Sequence, residues 1–389
     1  MGTRRYFMIV LRFLSWVTLL ACMQVSAVHA NEWSVAPNTN DGKRWQVAYY
    51  EGGDYQDYRK VLVATLNGLM DLGWIEPQPL PDPDGHDSKS LWMWVVDNLQ
   101  SQYLSFRKDA YYSAEWDVEQ RADNSRRFLQ RLILQKDIDL VLAMGTWAGQ
   151  DLATSRHSTP TLVLTASNPI TAGIIKSSSE SGLDHLHATV DPSLHSRQLQ
   201  IFHELVGFKT LGMAYEDTVS GRSYAAVDQA ETLSFDLGFE IVPCFTKSDV
   251  KDQAEAEESV IACMKELSSS VDAIYVTVQG GVTKRSINEI VAIALEAQVA
   301  TFSQGSSSEV KAGVLFSLAM DDFRGVGRFE AENMAKVFNG AKAGHLRQTY
   351  EAPPRIAVNT RVAEVIGYNP PLLLLGAADE LYEEIVPFP

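Results

Sequence analysis

The chain is predicted to be an α/β protein with two doubly wound parallel-sheet lobes joined by a multi-strand hinge. Three observations predict this. Short apolar runs lead repeatedly through a polar or glycine-containing turn into a longer amphipathic pattern. RWQVAYY (44–50) leads to YRKVLVATLNGLMDLG, DLVLAM (139–144) to GTWAGQDLA, TLGMAY (210–215) to GRSYAAVDQAETLSFDLG, and DAIYVTV (272–278) to TKRSINEIVAIALEAQ. Such alternation builds parallel β/α units. The length, 389 residues, exceeds one ordinary core and suits two lobes. A composition of 46% hydrophobic and 21% charged residues is that of a folded globular chain.

Residues 1–30 read as an export signal. Arg4 and Arg5 are its basic start, Phe13 to Cys22 its short apolar core, and Val28-His29-Ala30 its cleavage site. Leu19-Leu20-Ala21-Cys22 is an alternative lipoprotein box that would anchor the chain at Cys22, and Leu20 fits that box poorly. No later apolar run reaches membrane-spanning length. Residues 31–43 are polar. The first β/α unit ends near Trp74, and a Pro-, Asp- and Gly-rich loop follows at 76–90. LWMWVVDNLQSQ then reads as a short helix, so that 76–102 is an insertion, with Trp92 and Trp94 as packing or a partner patch. YLSFRK (103–108) reads as a strand and 118–136 as an amphipathic helix.

TPTLVLTASNP (159–169) is a strand and turn, 175–187 a polar excursion, and HATVD (187–191) a crossing between lobes. Pro192 opens the next helix. Three β/α units build the second lobe to about Gly313. VLFSLAM (314–320) is a strand, 323–340 a helix closed by Gly340, and RIAVN (355–359) a last strand. The expected division is 31–190 with 319–348 for one lobe and 191–318 with 349–389 for the other.

In doubly wound sheets ligands bind outside the carboxyl ends of the strands, so the turns there are the candidate site. Tyr50, Tyr55, Trp147 and Tyr224 follow strand ends and can stack on a flat ligand or close a cleft. Glu51, Glu216, Asp217 and Asp321 are acids in the same turns, able to accept from an amine or to face solvent. Thr146 directly precedes a helical pattern; its hydroxyl caps that helix, whose free N–H groups suit an anion. Ser167 and Asn168 offer a hydroxyl and an amide, as ligand donors or as turn residues. Ser306, Ser307 and Ser308 form another candidate polar wall.

Lys and Arg number 33 against 49 Asp and Glu, a net charge of -16. That excludes nucleic acid as the expected partner, since phosphates demand a basic face. No G-x-S-x-G, H-E-x-x-H, P-loop or C-x-x-C motif is present. No cofactor is expected. His185, His187 and His195 lack the Cys or carboxylate that would complete a metal set, and DPDGHD (82–87) lacks the closing Glu of a calcium loop. Cys244 falls at a strand end and Cys263 several turns into the next helix, which runs back down the sheet. That separation predicts two buried free thiols.

The order of elements resembles periplasmic binding proteins of the first type. More narrowly, it is similar to the ABC transporter substrate-binding family whose characterised members bind tryptophan or phenylalanine. The likeness is carried by DLVLAMGTWAGQDLA (139–153), TPTLVLTASNPITAGII (159–175), HSRQLQIFHELVGFKTLGMAYED (195–217) and RIAVNTRVAEVIGYNPPLLLLGAADELYEEI (355–385), the last read as a strand, a Thr-capped helix, paired prolines and a closing acidic helix. The resemblance implies an exported receptor, a monomer, that closes on a small polar, aromatic or amino-acid-like molecule and delivers it to a membrane permease. It places ligand contacts at the turn after the first strand, at Gly145–Ala148, at Ala166–Pro169, and at the turns after Tyr215, after Val278 and near Phe302. Two positions depart from the pattern: Gln279 and Asn168 stand where a carboxylate is common, and both changes remove a partner for an α-amino group. A periplasmic sensor, docking through the Trp92/Trp94 insertion onto a membrane kinase or cyclase, is the alternative.

Overall fold

Residues 33–318, 323–353 and 355–389 are described by the computed structural model. The predicted signal, with Cys22 and Ala30, lies outside the described residues, as does Asp321. In chain order the elements are β1 (Trp45–Glu51), α1 (Gln56–Asp71), α2 (Ser88–Asn98), β2 (Leu104–Ser113), α3 (Val118–Leu134), β3 (Leu140–Met144), α4 (Gly145–Leu152), β4 (Thr161–Leu164) and β5 (Leu186–Ala188). There follow α5 (Leu194–Val206), β6 (Thr210–Tyr215), α6 (Val219–Tyr224), α7 (Val227–Leu237), β7 (Glu240–Phe245), α8 (Gln253–Leu267), β8 (Ala273–Val276), α9 (Ile287–Glu296), β9 (Ala300–Ser303) and α10 (Ser307–Ala312). The chain closes with β10 (Phe316–Leu318), α11 (Arg324–Phe338), β11 (Ile356–Asn359), α12 (Thr360–Val365), α13 (Leu372–Ala377) and β12 (Glu380–Tyr382).

Two sheets form, one per lobe. The first runs β2-β1-β3-β4-β5, all parallel. The second runs β12-β11-β10-β9-β8-β6-β7, and its parallel part repeats the order of the first. β11 is antiparallel to β10, and β12 parallel to β11. In both sheets the winding reverses beside the first strand, between β1 and β3 and between β6 and β8. These are the switch points where a doubly wound sheet opens a crevice.

Apolar side chains bury both faces of each sheet. In β1, Val47 and Tyr49 enter one core cluster while Ala48 and Tyr50 enter the other. The insertion helix α2 covers β2: Trp92 is fully buried, its ring 5.2 Å from Tyr49 and 5.6 Å from Phe106. Its indole N–H donates to the Arg107 carbonyl at 3.1 Å. Trp92 is therefore core, and Trp94 packs partly buried against the same cluster. Among the described residues no helix is long and apolar enough to cross a membrane.

Three readings change at this level. HATVD does not cross between lobes from its start: Leu186–Ala188 is the outer strand of the first sheet, paired with β4, and the crossing begins at Thr189. There Val190 pairs with Thr349 of a second crossing, Val190 N donating to Gln348 O and Tyr350 N to Val190 O, both at 3.0 Å. The closing acidic helix is instead short α13 followed by strand β12, because Glu380–Tyr382 completes the free edge of β11.

The third concerns the cysteines. Cys244 and Cys263 form a disulfide, their Cα atoms 5.6 Å apart. The seven-residue loop 246–252 carries the chain above the strand end before α8 starts. Descending 1.5 Å per residue, α8 brings Cys263, its eleventh residue, level with Cys244. Replacing both cysteines by serine is expected to lower stability by about 3 kcal/mol through the freer unfolded loop, read as a shift in the urea unfolding midpoint.

Candidate functional site

A cavity of about 500 Å³ lies between the turns of the two sheets. From the first sheet it receives the turns after β1, β3 and β4, together with Trp116 and Asp84. From the second it receives Tyr224 of α6, the loop after β7, the start of α8, and the segment after β8. The lobes also touch beside it. Ser223 Oγ donates to the Asn168 carbonyl at 2.9 Å, Ser220 Oγ to Gln150 Oε1 at 3.2 Å, and Lys284 pairs with Asp84 at 2.7 Å.

The aromatic wall is set by local backbone. Gly145 has φ +81°, and a Cβ there would lie 1.8 Å from the Tyr58 hydroxyl; glycine thus lets Tyr58 reach the floor at the start of α4. A Cβ on Gly53 would lie 2.5 Å from the Trp116 ring. Glu115, Trp116 and Thr165 hold left-handed φ values of 50°, 56° and 63°, and such strain in non-glycine residues gathers at functional sites. The Trp116 indole donates to Asp54 O at 3.1 Å, and its ring meets Trp147 at 5.4 Å, edge to face. Behind Trp147 the Arg121 guanidinium sits 4.4 Å from the ring, held by Asp151 at 2.9 Å.

Of the residues singled out in the sequence, Tyr55, Thr146, Trp147, Ser167, Tyr224 and Gln279 line this cavity. Thr146 does so from inside the first turn of α4 rather than as its cap, because that helix starts one residue earlier, at Gly145, with Met144 in the cap position. Its hydroxyl and the first-turn N–H groups, which have no acceptor within their own helix, border the cavity. Gln279 is wall: its amide accepts from Thr246 at 2.7 Å and donates to Ala214 O at 2.7 Å and to Thr277 at 2.8 Å.

The others lie elsewhere. Tyr50 is buried in the core below, its hydroxyl donating to Asp151 at 2.8 Å, so it supports the Arg121–Trp147 stack instead of meeting a ligand. Glu51 is buried and accepts from Tyr111 at 2.6 Å and Tyr49 at 2.9 Å. Ala148 packs in the core. Asn168 Oδ1 accepts from Ile170 N and Thr171 N at 3.2 Å, a turn role. Glu216 stands behind Tyr224, 3.5 Å from its hydroxyl. Ser306 caps α10 and borders a smaller side pocket with Tyr55.

Sequence reasoning missed Tyr58 and Trp116 of the aromatic wall and, of most chemical consequence, Asp249 in the loop after β7. It lines the cavity and lies 3.4 Å from the Tyr224 hydroxyl. Burial, helped by repulsion from Glu216, raises its carboxyl to about 7, against the opposing effect of hydrogen bonds from Trp147, Ser248 and Tyr224. Its loop TKSDVKDQ carries no periodicity or motif; the signal was position alone, directly after a strand.

Burial also raises Glu51 to about 7 and Glu330, in α11 under the hinge, to about 8; Glu330 Oε2 has no hydrogen-bond partner among the described residues. The unfolded carboxyls titrate near 4, so above that pH the native state binds more protons than the unfolded state. Stability then falls as pH rises through the native values. Buried His157 and His187, lowered to about 4 by burial, oppose this only below about pH 7, where unfolded histidines gain protons. The ligand-free protein is thus expected to lose urea resistance between about pH 7 and 9, and Glu330→Gln to flatten that loss.

A family model described as ABC transporter substrate binding protein matches residues 99–381. Among solved structures, a domain from Streptococcus pneumonia in complex with L-Trp is 16% identical, with TM-score 0.66 over 87% of this chain and 100% of that one. A conserved domain protein from Vibrio cholerae is 18% identical with TM-score 0.62, and a ligand-free substrate-binding protein with adhesive properties from Clostridium difficile 17% identical with TM-score 0.56, each over 87% of this chain and 100% of the other. A comparison with curated proteins returned no match. Two doubly wound lobes, a cavity between their switch-point turns and a family match across most of the chain lead to one assignment: the chain belongs to the ABC transporter substrate-binding protein family.

Proposed function

We propose that the protein is an exported, periplasmic receptor of an ABC uptake system. It acts as a monomer, performs no catalysis, and holds a small polar ligand of aromatic or amino-acid-like character until a permease accepts it. The observation that carries this reading is the cavity of about 500 Å³ that joins aromatic faces from Trp116, Trp147, Tyr55 and Tyr58 to a partly buried carboxylate at Asp249 and a helix start at Thr146. Flat apolar walls with a few placed polar groups are the usual make-up of a small-molecule site. In this reading the lobes divide near residues 190, 318 and 348, and ligand contacts made from both sides favour the closed arrangement.

Isothermal titration against aromatic amino acids, nucleosides and related aromatic metabolites tests it. L-tryptophan belongs in the panel because the Streptococcus pneumonia domain carries it. One ligand per chain with a measurable heat is the expected result. No binding from the whole panel, by protein shown to be folded, would contradict the receptor reading.

A further inference from the structure

The charges around the cavity are not balanced. Its cationic lining residues are each committed: Arg59 to Asp54 at 2.6 Å, Lys284 to Asp84 at 2.7 Å, and Arg285 to Glu257 at 2.6 Å. Asp249 is the remaining lining acid, and among the described residues no cation lies within ion-pair distance of it. The groups that face it bring no positive charge. Glu216, after β6, repels it; Tyr224 of α6 and Tyr58 of α1 are neutral phenols that feel its charge; the Trp147 indole of α4 and the Ser248 hydroxyl donate to it. Lys247 of its own loop is paired with Glu255 instead. A partly buried carboxylate without a counter-charge carries a desolvation cost in an empty site and gains once a cation arrives. The rings beside it add cation–π attraction for the same kind of guest.

At the other pole there is no comparable demand. Among the described lining residues not already in ion pairs, an anion would find the α4 start with the hydroxyls of Thr146 and Ser167, groups that water also satisfies. We infer, building on the receptor reading above, that the cavity selects for a protonated amine seated on Asp249 and does not require a carboxylate on the ligand. Its preferred guests are arylalkylamines as a class, with aromatic amino acids accepted as their carboxylated counterparts.

Three probes with one ring separate the contributions: tryptamine (amine only), L-tryptophan (amine and carboxylate) and indolepropionic acid (carboxylate only). Titrated calorimetrically at pH 8, tryptamine is expected to bind at least as tightly as tryptophan, and indolepropionic acid about 100-fold or more weaker. Lowering the pH from 8 to 6 protonates Asp249 and is expected to weaken tryptamine by up to about tenfold. Asp249→Asn keeps the size of the side chain but not its charge. It is expected to weaken tryptamine by about 30-fold or more, to flatten that pH dependence, and to leave thermal unfolding of the empty protein no lower. Indolepropionic acid binding as well as tryptamine, or an unchanged pH profile in the variant, overturns the inference while leaving a receptor for aromatic acids. No binding by any of the three overturns the inference, while the receptor reading still stands or falls with the wider panel above.

Discussion

Replacing Trp147 by alanine is expected to weaken ligand binding by about 100-fold, the scale of a buried aromatic hot spot. Trp147 is only 6% exposed, and what remains faces the cavity. One ring face is already occupied by Arg121, which is itself fixed by Asp151, and Asp151 by the Tyr50 hydroxyl. The edge is met by Trp116. The ring is therefore locked before a guest arrives, so little freedom is lost on binding. Alanine removes the stacking face, the indole donor to Asp249 and the packing that orients Trp116 in one step. Tyr50→Phe touches the same chain of contacts at its far end and is expected to weaken binding only about threefold, the scale of one lost hydrogen bond. Calorimetric titration of both variants, with circular dichroism to confirm folding, checks the pair. Equal affinities for Trp147→Ala and the parent would remove Trp147 from the site.

Gly145→Ala is expected to lower stability by about 4 kcal/mol, combining a left-handed backbone penalty with overpacking. At φ +81° an alanine is strained whatever the space, and its Cβ would stand 1.8 Å from the Tyr58 hydroxyl and 2.4 Å from the ring carbon bearing it. The phenol must then leave the base of the cavity, so the same change is expected to impair binding. In a Tyr58→Ala background the steric part disappears, so there the same glycine change should cost only the backbone part of about 1–2 kcal/mol. Urea unfolding of both single variants and the double variant separates the two. Gly145→Ala alone with an unshifted midpoint would mean that Tyr58 does not stand over the start of α4.

Much of the architecture was legible because strand and helix signals alternate in order. TLGMAY, RIAVN and VEQRADNSRRFLQRLILQK fall on β6, β11 and α3 almost residue for residue. What was not legible depended on parity, distance or edges. A strand buried on both faces shows no alternation, so nothing in WQVAYYE told which of Tyr49 and Tyr50 pointed where, and Tyr50 was assigned to the cleft when it supports the floor. The Cys244–Cys263 distance depended on how high a seven-residue loop lifts the start of α8. The acidic run after Ala378 had helical composition, but the open edge of β11 decided it as a strand. Six of the aromatic and polar turn residues do meet at one cavity. Asp249, the charge on which selectivity is argued, sat in a polar loop with nothing in its neighbours to mark it.

The most direct measurement is a crystal structure of the protein with the tightest-binding member of the aromatic panel. The account predicts the guest enclosed between the lobes, its ring against Trp147 at about 4 Å and its amine about 3 Å from Asp249. A guest bound outside the cavity, or held there with its amine turned away from Asp249, would contradict it.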